Sequence, residues 1–421
     1  MNPKFADRLQ HAGLWRHADF LRLWSGQTIS VFGSMVGGTA MSFTAILFLH
    51  ATPLQMGLLS AMGLLPGFLT GLIAGAWVDR LRRRPLLIAA DLCRALALVS
   101  IPLAAVAGVL RIEQVYIVGL VVSILSITFD VAYQSYLPSL VGPEHVIEGN
   151  SKLSASAAVA EFGGFSLGGW LVQLFTAPLA ILIDAGSFVV SAVTLKMIRT
   201  PELKPVLVAH PNMRHEIGEG LRTVWQNPLL RASAISVLVR DISGGIYGAL
   251  VVLYMSQGLG FNPGVLGMIW AVGGVSSFLG AALAPHLTRW LRPGLIMAGG
   301  LAVFGLSQLL VPLANGATLL SVAFLVGQQM GDGFYVLYEI NLVSLRQSIT
   351  SEYMLGRVNA TLQFVAMGAT LAGSLLGGWL GDVVGVRPML ALAGCGTILS
   401  AAVLALSPVR GVKEIAGSPD H

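Results

Sequence analysis

Charge is what this sequence has little of. Only 11% of its 421 residues are Asp, Glu, Lys or Arg, against roughly 25% in an ordinary soluble domain. With 55% hydrophobic residues and a mean hydropathy of +0.77, a soluble globular domain is excluded and an integral membrane protein implied. Cysteine is almost absent too. Cys93 and Cys395 lie in apolar runs far apart, so neither a disulfide framework nor a metal site is expected, and packing is their role. No G-x-x-x-x-G-K-[ST] loop occurs, which removes direct nucleotide drive by this chain. The eight histidines fall mostly near the termini or in loops, with no evident nucleophile and base pair, so an enzyme is not expected. Long alternation of apolar and polar residues is missing, which excludes a β-barrel. No cofactor is called for.

What is present is length and apolarity. Apolar runs at about 20–49, 53–77, 86–110, 113–136, 150–176, 178–198, 229–257, 263–289, 293–314, 317–345, 357–381 and 386–407 can each cross a hydrocarbon core of about 30 Å as a helix. The first run is too long for a signal-peptide core and is expected to stay as a helix. Residues 1–19 mix apolar and basic side chains as a cytoplasmic arm, and 408–421 form a tail. The one long polar stretch, 199–228, links a bundle at 20–198 to one at 229–407. Fifty glycines suit membrane helices whose backbones approach closely.

The net charge of +5 has a topological explanation. With loops assigned alternately to the two sides, every Lys and Arg falls on the side of the termini except Arg111, Arg387, Arg94 and Arg240. Both termini are therefore expected in the cytoplasm, in a multi-pass inner-membrane protein. The basic residues form no single patch interleaved with aromatics, so a nucleic-acid partner is not expected.

The halves repeat. A shift of 209 lays Asn150, Leu153, Gly164, Gly168, Gly169 and Trp170 onto Asn359, Leu362, Gly373, Gly377, Gly378 and Trp379, and a shift of 210 lays Gly57, Gly63, Phe68 and Leu81 onto Gly267, Gly273, Phe278 and Leu291. A shift of six spans preserves orientation, so the fold expected is all-α, with two parallel six-helix halves.

Between the second and third spans runs Gly75-Ala76-Trp77-Val78-Asp79-Arg80-Leu81-Arg82-Arg83-Arg84-Pro85. Gly75, Asp79, Arg80, Arg83 and Arg84 stand at the spacing of G-x-x-x-D-R-x-G-R-R, and the loop resembles the signature of the major facilitator superfamily. Arg82 replaces the second glycine, as in the branch of macrolide-efflux proteins and the enterobactin exporter. The resemblance implies a latch: Asp79 would rest against the cytoplasmic start of the eleventh helix, where Arg357 and free backbone N–H groups lie. It also implies a central cavity lined by the first, fourth, seventh and tenth helices.

Ionisable groups inside spans are functional candidates. Glu161, Arg240 and Asp241 lie about 16 Å from the cytoplasmic end, and Asp332 roughly 22 Å from the outer end, of their spans. Polar stripes at helical spacing run through Gln328, Asp332, Tyr335 and Glu339 on the tenth span, and Ser123, Ser126, Asp130, Tyr133 and Gln134 on the fourth. Another joins Arg240 and Tyr247 on the seventh. Asp130 coincides with Glu339 in the repeat, an arrangement suited to gating. Asp130, Glu161, Arg240, Asp241, Asp332 and Glu339 are the candidates for proton or substrate handling; Gln134, Tyr133, Tyr247, Gln328 and Tyr335 are those for cavity lining. Asp91 and Arg94 read as a shallow structural pair, and Asp184 as structural. Adjacent Arg240 and Asp241 point about 100° apart and need not pair; Arg240 is expected to neutralise Asp332 or Glu161 or to handle substrate.

With nucleotide drive removed, the resemblance implies a secondary transporter, monomeric, exporting hydrophobic or amphipathic small molecules by alternating access with protons as coupling ion. A siderophore or metabolite exporter, or an importer, is the alternative, and a membrane receptor or lipid scramblase the rival of another class.

Overall fold

The computed structural model describes residues 13–70, 82–200 and 213–412, and among them the regular structure is helical with no strand. In chain order the helices are α1 (Ala18–Phe43), α2 (Pro53–Thr70), α3 (Arg83–Val106), α4 (Ile112–Val141), α5 (Val146–Phe175) and α6 (Ala177–Met197). There follow α7 (Met213–Gln226), α8 (Pro228–Leu253), α9 (Pro263–Trp290), α10 (Pro293–Gln308), α11 (Leu319–Met330), α12 (Asp332–Ile349), α13 (Glu352–Val384) and α14 (Val386–Leu406). Nine spans among the described residues are long and apolar enough to cross a membrane. The Gly75, Asp79 and Arg80 of the basic loop lie outside the described residues.

Local chemistry sets the helix ends. Pro228, Pro263 and Pro293 open their helices, where a missing N–H costs nothing. Asn227 and Thr318 accept first-turn N–H groups through their side chains, satisfying donors that would otherwise be orphaned. Arg84 does the converse, donating to the carbonyls of Leu195 and Lys196 at 2.9 and 2.5 Å at the end of α6. A cation there also meets the negative end of the helix dipole.

The described residues group into two units, one from Met1–His50 with Leu65–Ala209 and one from Ala51–Leu64 with His210–His421. In the first, α1 packs on α5 and α6, and α3 on α4 and α6. In the second, α8 packs on α13 and α14, and α10 on α12 and α14, while α9 also lies against α12. The sequence repeat thus returns as a repeat of helix pairings. It extends to the backbone: α1 and α8 each end in a π-helical turn, Thr44–Phe48 and Tyr254–Gly258. His50 and Gly260 both take positive φ, 53° and 80°, and so do Thr176 and Gly385, 68° and 100°.

Four features differ from the sequence reading. The second span was assigned whole to the first bundle, yet the start of α2 groups with the second unit. There Leu54 N–H donates to Asp382 at 3.3 Å, and Gly57 lies against the backbone of Ser374 and Gly378 on α13; the small residues permit that approach. The polar linker contains a helix, α7, whose Val224 packs with Leu230, Val358 and Leu362. The tenth span is broken at Gly331 into α11 and α12. Cys93 and Cys395, expected to pack, are exposed.

Candidate functional site

The buried polar groups of the first unit converge on Arg94. It ion-pairs with Asp91 one turn earlier, donates to Ser126 Oγ at 3.2 Å, and lies between the rings of Phe129 and Phe188 at 4.5 and 4.1 Å. Such stacking favours a desolvated cation. Asp91 is 0% and Arg94 4% exposed. The sequence reading of this pair as shallow is corrected: α3 begins at Arg83, which puts Arg94 about 16 Å along it, at mid-helix. Asp184, 4% exposed, and Asp130, exposed, also lie within electrostatic reach of Arg94. Helices α1, α3, α4 and α6 all contribute, because Ser34 Oγ donates to Asp184 at 3.3 Å. Tyr133 stacks on Phe129 at 6.0 Å with its hydroxyl buried and without a hydrogen-bond partner. Gln134 is exposed.

The second unit has a different centre, Arg240 on α8. Its guanidinium donates to both carboxylate oxygens of Asp241 at 2.8 and 3.0 Å, to Glu339 Oε2 at 2.8 Å and to the Tyr335 hydroxyl at 3.1 Å. The rings of Tyr335 and Tyr338 lie 5.5 and 5.4 Å from it. Arg240 and Asp241, which the sequence left free not to pair, do pair, since a long guanidinium can fold back across the angle that separates neighbouring Cβ directions. The acid from another helix that meets Arg240 is Glu339, rather than Asp332. The side chain of Glu161 lies outside the described part of the structure.

Asp332 instead opens α12 at the helix break. Ser276 of α9 bridges the break, donating to Met330 C=O at 2.7 Å and accepting the Gly333 N–H at 3.0 Å. Gly331 is required there, because a Cβ would fall 1.9 Å from Ser307 Oγ. The Asp332 carboxylate lies against the Gly273 backbone and within electrostatic reach of the Tyr247 hydroxyl, which is buried without a hydrogen-bond partner. No ion pair to Asp332 forms among the described residues. Gln328, one turn before the break, is 5% exposed. The backbone stays helical through Gly331, at φ −63° and ψ −26°, so the break is a local interruption of the hydrogen-bond ladder at which Ser276 takes over two backbone partners. Sequence periodicity missed it because Gly331 fits a continuous pattern as well as a broken one.

Arg357 ion-pairs with Glu219 of α7 and lies 4.6 Å from the Tyr353 ring. A cavity of about 680 Å³ lies between α1 and α5, lined by Trp24, Phe32, Ser156, Val159 and Leu167 among others. That size suits a small molecule. None of the five cavity-lining candidates borders it. Among the described residues no group of three or more His, Cys, Asp or Glu could hold a metal ion.

The family model described as transmembrane secretion effector, of the major facilitator superfamily, matches residues 11–421. The chain belongs to this transporter family. The transporter is 27% identical over 391 residues to the MFS-type transporter YfiS of Bacillus subtilis, covering 89% of each chain. It is 24% identical to the multidrug efflux pump Tap of Mycolicibacterium fortuitum, over 92% of this chain and 95% of that one. It is also 25% identical to macrolide efflux protein A of Streptococcus pyogenes over 209 residues, 49% of this chain and 51% of the relative. Among solved structures, a bacterial homologue of the iron transporter ferroportin matches with a TM-score of 0.72 at 18% identity, over 91% of this chain and 98% of the other. The nucleoside transporter NupG matches with a TM-score of 0.72 at 14%, over 92% and 98%. The facilitator fold is thereby established, in a family of transporters rather than enzymes.

Proposed function

We propose that this transporter exports hydrophobic or amphipathic small molecules across the cytoplasmic membrane by alternating access, driven by protons moving inward. Its similarity to drug and macrolide efflux proteins supports the substrate class. One observation carries the coupling: Asp332 stands in the break of the tenth span without an ion-pair partner among the described residues. A carboxylate left without a countercharge inside a membrane protein favours binding a proton. Anionic siderophores are less well served, because the deep arginines, Arg94 and Arg240, already meet acids. The latch that the sequence resemblance implies, made of Gly75, Asp79, Arg80, Arg83, Arg84 and Arg357, completes the proposal.

Inverted membrane vesicles holding an imposed pH gradient test this reading. Lipophilic dyes or macrolides are expected to dissipate the gradient when the protein is present. Asp332→Asn should cut that response on the order of tenfold, in the range of ordinary coupling free energies. An undiminished response in that variant would remove Asp332 from the coupling path, and no response to any compound in folded wild type would refute proton-driven export of these substrates.

A further inference from the structure

The cluster around Arg94 does not balance in charge. Two acids, Asp91 and Asp184, and one guanidinium are sealed within the first unit at 0%, 4% and 4% exposure. Ionised together they leave one negative charge uncompensated away from water, a costly state in a membrane protein. Arg94 cannot serve both acids equally. It ion-pairs with Asp91, whereas Asp184 forms no ion pair among the described residues. Among the described residues Asp184 has only hydroxyl partners: Ser34 at 3.3 Å, and Ser187 at 3.4 Å, whose hydroxyl makes its shorter bond, 2.7 Å, to the Asp184 carbonyl. Those side-chain contacts are long for hydroxyl donors. The second carboxylate oxygen of Asp184 is packed against the Gly37 backbone, where a Cβ would fall 2.1 Å from it.

We infer that Asp184 is a buried proton-binding site, neutral while Arg94 is held by Asp91. The groups that govern its charge are few. The α1 face beside it offers Ser34 and Gly37, α3 offers Arg94 and Asp91, and α4 offers Asp130. Asp130 is the exposed member and competes for the same guanidinium. Neutralising Asp130 leaves Arg94 freer to stabilise an ionised Asp184, so a proton arriving at Asp130 favours release of one from Asp184. Arg94, seated between Phe129 next to Asp130 and Phe188 one turn from Asp184, thus links the two acids, so that a proton bound at one exchanges for a proton released from the other. A role for this exchange in transport rests on the proton-driven reading above; proton binding at Asp184 does not.

Infrared spectroscopy of the purified full chain in lipid at neutral pH is the test. The wild type should show a carbonyl band of a protonated carboxylic acid that Asp184→Asn removes. Asp184→Glu should keep a protonated-acid band at a shifted frequency, which preserves the test if the amide variant folds poorly. In Asp130→Asn the Asp184 band should disappear at lower pH than in wild type. A protonated-acid region unchanged by both Asp184 substitutions would overturn the assignment, and an Asp184 band indifferent to Asp130→Asn would overturn the exchange.

Discussion

The two units place an aromatic residue and an acid at equivalent points, Phe129 with Asp130 on α4 and Tyr338 with Glu339 on α12, and each aromatic ring meets an arginine. The arginine comes from a different helix each time. In the first unit it is Arg94 of α3, and in the second Arg240 of α8. At the repeat positions of Asp91 and Arg94 the second unit carries Leu301 and Phe304, and at that of Asp184 it carries Ala393. Leu301 and Ala393 are both fully buried. The aromatic and acid define a place for a cation, and the neighbouring helices need only supply one. A unit that supplies it from α3 must then embed countercharges in its interior. One that supplies it from α8 can leave the α10 to α14 contact neutral, as in the 2.8 Å bond from Thr397 to Gln308.

Substitutions that move one unit toward the other sharpen this contrast. The largest effect is expected for Arg94→Met, which leaves Asp91 buried without its partner and should cost about 3–5 kcal/mol of stability. The double change Asp91→Leu with Arg94→Phe installs the residues of the second unit and should recover most of that loss. Chemical unfolding in mixed micelles measures both, and a double variant no better than the single one would break the equivalence. In the second unit, Thr397→Val removes the donor to a buried Gln308 and should cost about 2 kcal/mol by the same measurement. The smallest effect concerns Thr176, whose φ of 68° and ψ of 154° fall in a region glycine tolerates best. Its counterpart is Gly385, so Thr176→Gly should stabilise by about 1 kcal/mol; a loss would mean that the threonine side chain contributes more than the backbone strain takes away.

Much of the fold was legible before any coordinates. The apolar runs marked the helices, since each must satisfy its own backbone in lipid, and the 209 and 210 shifts announced pairings that recur as α1 with α5 and α8 with α13. The candidate site was legible only in part. Depth singled out Arg240, Asp241 and Asp332, yet the partners of Arg240 were misjudged because Cβ direction says little about where a long guanidinium ends. Arg94 was read as shallow since its depth was counted from the apolar run. The helix begins earlier, at Arg83, and carries Arg94 to its middle.

The membrane setting, the helical class and the repeat could be read along the chain, because hydrophobicity and periodicity need no partner. Tertiary structure alone decided which charges meet. Asp91 and Asp184 stand far apart in sequence, and Arg94, the partner of Asp91, reaches the α6 of Asp184 at the Phe188 ring only because α3 lies against α6. The break at Gly331 was likewise decided by tertiary contact, with Ser276 on a neighbouring helix holding the backbone on both sides of it. Electrostatic pairing in a medium without water depends on contacts of a few ångströms, and those distances arise only when helices pack.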